Sequence, residues 1–411
     1  MSSQLMNDAL VLHPGLIALL SPLGLSCTIA LVDSSCRLQR ASFYLLSIAI
    51  AAQLQYSIPA FTGNGTYDGA FMSYIWILHL RAFDLLFCEA VYLSAAMPSP
   101  SLIATIQSTL SRLVAAWCLL FNLRNINRPR RVKNLPAWSS RHPEYVPEKS
   151  EFVKRRLLHI LTTYLMLDAI FALLPAPNPV EDVPEHKQPL LSRMGDITLE
   201  EIIARPITVI LPAFSIYGMF TIPYNIAASF TVLFCGGKPQ HWPPIFGSLP
   251  DAYTLRRFWG KFWHQLLRSS LEACTSFLIT CVFGISSHHK TLIRYLRVFL
   301  AFYITALIHI PGVVVLGGSP FASGCPTFFI MQAVGILIES MVIYLWSAIS
   351  RTPIDNMPTR RMTKVLGYVW VLAWTSWTGP SFTWVIARAL VQGRDDVVPW
   401  SFIKWLGNGK P

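Results

Sequence analysis

Residues 242–268 read Trp-Pro-Pro-Ile-Phe-Gly-Ser-Leu-Pro-Asp-Ala-Tyr-Thr-Leu-Arg-Arg-Phe-Trp-Gly-Lys-Phe-Trp-His-Gln-Leu-Leu-Arg. Trp242-Pro243-Pro244 is a stiff turn poor in donors, because proline fixes φ and lacks an N–H. From Tyr253 to Arg268 the composition becomes helical. Phe258, Phe262 and Gln265 fall to one side, and Arg256, Arg257, Lys261 and Arg268 supply positive charge. Trp259 and Trp263 are four residues apart, so on a helix they share a face, with His264 beside them. Composition alone reads this as a helix lying in a membrane surface.

The rest of the chain agrees that a membrane is involved. Of 411 residues, 53% are hydrophobic and 13% charged, where soluble domains carry about 25% charged residues. With repeated apolar runs, this predicts an all-α polytopic membrane protein of about eight spans with short interfacial helices. The whole chain, 1–411, reads as one membrane-embedded domain. The net charge of +12 sits in short segments beside apolar runs. That is the pattern of a bilayer protein, with attraction to anionic lipid or a phosphorylated substrate, and not of a nucleic-acid binder. Cys27, Cys36, Cys88, Cys118, Cys235, Cys274, Cys281 and Cys325 contain no Cys-x-x-Cys pair. Neither a disulfide framework nor a metal site is expected.

Working outward, the expected spans are drawn from 16–32, 41–61, 71–96, 102–121, 152–174, 202–234, 294–315, 327–349 and 365–391, with a short apolar run at 271–285. Residue 16 opens a retained first span, not a signal peptide. Asn64-Gly65-Thr66 has the N-glycosylation acceptor pattern. Arg81 and Asp84 interrupt an apolar run at a spacing that lets them pair. The most basic loop, 122–156, carries Arg124, Arg128, Arg130, Arg131 and Lys133. A cytosolic place for it requires one of 71–96 and 102–121 to be interfacial or re-entrant. The segment 175–199 reads as an acidic, proline-rich lumenal loop, 202–234 as a kinked span or a span plus a surface helix, and 242–268 as cytosolic.

Apart from the Tyr303 phenol, His309 is the one ionisable side chain in the run Phe302 to Gly312, within an expected helix 293–316. An ionisable group deep in a span is a functional hypothesis by default. Pro311-Gly312 is expected to loosen the helix beside it. Moving an acyl group from a thioester to an alcohol needs a base to take the hydroxyl proton, and imidazole suits that task near neutral pH. The apolar surroundings would exclude the water that hydrolyses thioesters.

The order of residues in 242–268 resembles the signature of the wax-synthase-like branch of the membrane-bound O-acyltransferases. Its members carry Trp-Pro-Pro-(Leu/Ile)-Phe-Gly and then Leu-Arg-x-Phe-Trp-Gly-(Arg/Lys)-x-Trp-His-Gln. Trp242 to Gly247 match the first block; Leu255, Arg256, Phe258 to Lys261 and Trp263 to Gln265 match the second. The resemblance implies that His309 is the catalytic base and His264 an orienting or oxyanion-stabilising partner. It makes Trp259, Trp263, Gln265, Arg256 and Lys261 candidates for substrate or CoA contact. Members place Ser-Gly before the histidine, where this chain has Thr305-Ala306. A further family loop, Asn-x-Arg-Gly-Ile-Gly-Thr-x-Trp-x-x-Lys-Asn, survives in part around Asn122–Ile126 and Arg131–Asn134. Asn125 stands for the glycine, and Arg124 and Lys133 become candidates for the carrier phosphates.

The implied activity is acyl transfer from acyl-CoA, a co-substrate and not a bound cofactor, to a hydroxyl of a lipophilic acceptor in the endoplasmic reticulum membrane. The first expectation is acetyl transfer to a (mero)terpenoid in fungal secondary metabolism. The alternative is a wax ester synthase using long-chain acyl-CoA. A transporter is the rival from another class, suggested by Arg81, Asp84 and Glu339 within apolar runs; no inverted repeat accompanies them. The His79-to-Asp84 spacing and the His288-His289 pair read as structural and solvated, respectively.

Overall fold

A computed structural model describes residues 14–58, 62–91, 93, 102–139, 141–174, 178, 180–189, 193, 195–350, 361–393 and 398–408. Met97-Pro98-Ser99-Pro100, Arg351 and Arg360 lie outside the described residues. The helices are α1 (Pro14–Leu31), α2 (Arg37–Ser57), α3 (Gly65–Phe83), α4 (Leu102–Phe121), α5 (Lys149–Leu173), α6 (Leu199–Phe234), α7 (Leu255–Arg257), α8 (Arg268–Phe277), α9 (Lys290–Val315), α10 (Cys325–Ser350), α11 (Arg361–Thr378), α12 (Pro380–Gly393) and α13 (Phe402–Asn408). No strand occurs among the described residues.

Among the described residues, six helices are long and apolar enough to cross a membrane: α1, α3 with the turn that extends it to Cys88, α5, α6, α9 and α10. Some of the expected runs fall outside that set for physical reasons. Arg37, Gln39, Arg40, Gln53 and Gln55 lower the hydropathy of α2. The run 71–96 supplies a helix that qualifies as a span, and 102–121 forms the twenty-residue helix α4. The run 365–391 breaks at Gly379-Pro380 into α11 and α12, neither of which qualifies. The run 271–285 folds as the ten-residue α8 plus one π-helical turn, too short to cross about 30 Å of hydrocarbon. By contrast, α6 is one helix of 36 residues with Pro206, Pro212 and Pro223 inside it. At about 1.5 Å rise per residue it exceeds the hydrocarbon thickness.

The π-helical turn Asp84–Cys88 ends α3, with Glu89 donating to the Asp84 carbonyl at 2.7 Å. Such turns leave carbonyls unpaired within the helix. Arg40, fully buried, donates to Leu86 O at 3.1 Å and Val91 O at 2.7 Å. The expected pair forms: Arg81 meets Asp84 at 2.8 Å with both side chains buried. Arg130 reaches the other Asp84 oxygen at 3.0 Å, and Arg128 pairs with Glu89. Two cations of the basic loop, Arg128 and Arg130, are thereby neutralised by carboxylates of the 84–89 segment.

Gly312 does not loosen α9, which continues unbroken through Pro311 to Val315. Instead it is a contact point between α9 and α3. A Cβ there would lie 2.8 Å from Gly69 O and 2.4 Å from Ser73 Oγ. The missing side chain lets the two backbones approach, which fixes α9 and the histidine one turn before.

Candidate active site

The Trp-rich stretch is shorter in helix than its composition suggests. Thr254 caps α7, accepting from Arg257 N at 3.1 Å. The chain then makes a π-helical turn, Phe258–Phe262, closed by Trp263 N donating to Phe258 O at 2.7 Å. Trp263 is extended, with φ −64° and ψ 152°. His264 therefore stands on irregular backbone between two helices. Trp259 and Trp263 still meet, edge to face at 6.0 Å. The stretch is inserted among helices and not laid on a surface: Leu255 and Gln265 are buried, and Trp259 packs on Phe302, Phe328 and Phe329.

Three devices hold that backbone. Gln265 donates to the carbonyls of Trp259 at 3.0 Å and Trp263 at 2.7 Å, taking up groups the broken helix frees. Gly247 donates to Phe262 O at 2.8 Å. A Cβ on Gly247 would lie 2.1 Å from Lys261 O, so the two halves of the stretch lock together only through glycine. Glu339 on α10 accepts from the backbone N–H of Leu255 at 2.6 Å and of Arg256 at 3.4 Å. A carboxylate on free N–H groups is the charge-assisted form of a helix cap.

His309 Nδ1 donates to the carbonyl of Thr305, 2.7 Å away. A carbonyl only accepts, so Nδ1 carries the proton and Nε2 keeps the lone pair. The ring is half-buried, 4.8 Å from Phe329 and 6.0 Å edge-on from Phe382. His264 packs 4.8 Å from Phe220 and 5.9 Å from Phe246. Its Nδ1 is buried without a hydrogen-bond partner. Burial first, then His309, then Arg124 hold its pKa down to about 3, so the ring is neutral across ordinary pH. Ile304 and Ile308 of α9 pack with Phe246, Trp263, Leu266 and Leu267 in one apolar cluster.

The other expected residues divide. Trp259 Nε1 donates to Gln332 Oε1 at 3.3 Å, and Arg256 to Ser340 Oγ at 2.9 Å. Burial, then Arg294, lower the Arg256 pKa. Lys261 is half-buried. Arg124 is buried, and its fork is taken up by Pro243 O at 3.0 Å, Pro244 O at 2.7 Å and the Tyr224 hydroxyl. It braces the Trp-Pro-Pro turn. Lys133 is exposed on the same loop. Asn64 caps α3 by accepting from Tyr67 N at 3.2 Å. His79 bonds Ile75 O at 2.9 Å and Ser47 Oγ at 3.0 Å while Asp84 pairs with arginines, so these two do not act together. Sequence reasoning missed Gln332, which also donates to Thr378 Oγ1 at 3.0 Å, and the capping role of Glu339. Both are polar residues inside the apolar run 327–349, and that was the available signal.

Comparison with known proteins bears on the same stretch. The model of the "Membrane bound O-acyl transferase family" matches residues 242–331, from the Trp-Pro-Pro turn past His309 to α10. Acetyltransferase aurG of Calcarisporium arbuscula is 29% identical over 64% of this chain and 64% of its own length, just under two thirds. Acetyltransferase pyr8 of Aspergillus fumigatus is 28% identical over 88% of this chain and 84% of its own length. Acetyltransferase TRI7 of Fusarium sporotrichioides is 31% identical over 71% of this chain and 67% of its own length. No solved structure matches. The likeness to these relatives extends well beyond the block that carries the two histidines, and the chain belongs to the membrane bound O-acyl transferase family.

Proposed function

We propose that this O-acyltransferase moves an acetyl group from acetyl-CoA to a hydroxyl of a lipophilic terpenoid, as a step of secondary metabolism. His309 Nε2 takes the proton of the acceptor hydroxyl as its oxygen attacks the thioester carbonyl. The tetrahedral intermediate collapses, the C–S bond breaks, and the proton passes from the imidazolium to the departing thiolate. His264, neutral in its apolar pocket, orients the reactants or donates to the developing oxyanion. Trp259, Trp263, Gln265, Arg256 and Lys261 shape the surroundings of the two rings. The single observation that carries this reading is the 2.7 Å contact from His309 Nδ1 to Thr305 O, which leaves Nε2 as the acceptor. The acetyl donor rests on the relatives, which are named acetyltransferases, and the terpenoid acceptor on the family resemblance. The protein is integral to a membrane. We assign it to the endoplasmic reticulum with 242–268 on the cytosolic side, and Asn64 as a glycosylation candidate.

The test uses microsomes containing the protein, given labelled acetyl-CoA or palmitoyl-CoA with a pool of terpenoid and fatty alcohols. Label in a terpenoid ester from acetyl-CoA supports the reading. Ester from palmitoyl-CoA and a fatty alcohol instead would make it a wax ester synthase.

A further inference from the structure

A cavity of about 260 Å³ lies between α5, the end of α6 and the Trp-Pro-Pro block, lined by Arg155, Arg156, His159, Tyr217, Asn225 and residues 244–247 among others. It adjoins the two-histidine site through one side chain. Phe246 lines it on one side, and its ring packs 4.6 Å from Tyr217, 5.4 Å from Trp263 and 5.9 Å from His264.

The charge in this cavity is uncompensated. Arg156 is 3% exposed, yet among the described residues no carboxylate stands within ion-pair distance of it. Its acceptors are neutral: Asn225 Oδ1 at 2.5 Å and the Trp242 carbonyl. Its Nε is buried with no partner. Rings of Trp138, Phe152 and Tyr224 lie 4.5, 5.0 and 5.4 Å from the guanidinium, which offsets part of the desolvation. Arg124, also buried and without a carboxylate partner among the described residues, has its guanidinium 5.3 Å from the centre of the same Tyr224 ring. Burying a guanidinium without a counter-charge is costly, and two of them flank one tyrosine. His159 completes the wall: Nε2 meets the Tyr217 hydroxyl at 2.7 Å and Nδ1 the Asn225 amide at 3.3 Å. At the rim, Arg155 is exposed and already paired with Glu151 at 2.5 Å.

Resting on the acyl-CoA reading above, we propose that this cavity is an anion site that receives the phosphorylated end of the acyl donor. Arg156 is its recognising cation and His159 a polar wall. The volume is below the range of about 300–1,000 Å³ typical of whole-ligand pockets. It suits a diphosphate with the nucleoside left outside, while the thioester arm passes Phe246 toward His264. The arginine for the phosphates is then Arg156, which lines the cavity and keeps Nε without a partner, whereas Arg124 is not among the lining residues and gives its fork to Pro243, Pro244 and Tyr224.

The experiment compares acetyl-CoA with S-acetylpantetheine, which has the same reactive end and no phosphate, on the full-length protein and on Arg156→Gln, Arg156→Lys and His159→Gln. The expected result is a KM for acetyl-CoA raised about 10- to 100-fold in Arg156→Gln, the scale of lost hydrogen bonds to a charged group. Use of S-acetylpantetheine stays unchanged, and Arg156→Lys recovers part of the loss. Equal loss with both donors would make Arg156 a brace only and overturn the proposal.

If Arg156→Gln does not fold, thermal shifts of the wild type and His159→Gln decide. CoA should raise the melting temperature, pantetheine should not, and inorganic diphosphate should compete. Stabilisation by CoA that diphosphate does not compete overturns it. So does stabilisation by phosphatidic acid in nanodiscs with no response to CoA, which gives the cavity to a lipid headgroup. Because binding is read without turnover, failure to form any ester would sink the acetyl-transfer reading and leave the cavity to be judged separately.

Discussion

The Nδ1 of His309 and the carbonyl of Thr305 lie 2.7 Å apart, one helical turn from each other on α9. The bond fixes the tautomer through the main chain, so the residue at 305 needs no particular side chain for this purpose. That explains how Thr305-Ala306 can stand where family members carry Ser-Gly. Thr305→Ser and Thr305→Ala should both keep turnover within about threefold, since surface or small substitutions that leave the backbone in place cost little. Loss of activity in Thr305→Ala, at unchanged abundance, would give the threonine hydroxyl a role beyond its bond to Ala301 O at 2.7 Å.

Gly312 sets the depth of α9 against α3. Gly312→Ala should cost about 1–3 kcal/mol, the scale of overpacking, because the new methyl meets Gly69 O at 2.8 Å. The same shift moves His309, so turnover should fall along with the melting temperature. A variant with wild-type stability and activity would mean that the helices separate without consequence.

Glu339 is predicted to hold α7 and, through it, Trp259. Glu339→Ala leaves the N–H groups of Leu255 and Arg256 without their acceptor, at about 1–3 kcal/mol. Glu339→Gln keeps an acceptor oxygen and should retain more of both stability and turnover. Melting curves and initial rates of the two variants check the ranking; equal behaviour would argue against a cap.

Asn125 sits at φ +50°, a conformation that favours glycine, and the family pattern has glycine there. Its side chain has been put to use: it accepts from Arg81 at 2.5 Å and donates to Ser269 Oγ at 2.6 Å. Asn125→Gly should lose about 1–2 kcal/mol of hydrogen bonding. Asn125→Ala should lose about 1–2 kcal/mol more, from the left-handed backbone. Thermal melts should therefore rank wild type, glycine and alanine in that order.

His264 gives a pH signature. Its folded pKa is about 3, and an unfolded histidine titrates near 6.5. Between these values the unfolded state binds the extra proton, so stability falls as pH drops from about 6.5 toward 3. The contribution is at most about 1.4 kcal/mol per pH unit. His264→Asn removes this proton, and its melting temperature should depend less steeply on pH between 4 and 6.5. Parallel curves for the two proteins would contradict the neutral, buried ring.

Much of this was legible in the sequence because it is written locally. Apolar runs set the helices, and the Arg81–Asp84 spacing announced its ion pair. The order of residues from Trp242 to Gln265 led to the family. What was not legible depends on contacts between distant residues. Pro311-Gly312 reads as a loosening signal until Gly69 is seen opposite. Arg124 reads as a phosphate ligand until Pro243 and Pro244 take its donors. Gln265 reads as a site residue, and its amide proves to tie down the backbone of Trp259 and Trp263. The break at Gly379-Pro380 was locally visible, but 365–391 is apolar enough on both sides to hide it in a hydropathy reading.

The central claim is that His309 is the base. The most direct measurement is transfer of labelled acetyl from acetyl-CoA to a terpenoid alcohol by His309→Asn beside the wild type, with membrane abundance matched. The account predicts turnover reduced by about 10²- to 10⁴-fold, the usual contribution of a positioned general base, with little change in stability. Turnover within a few-fold of wild type would contradict it.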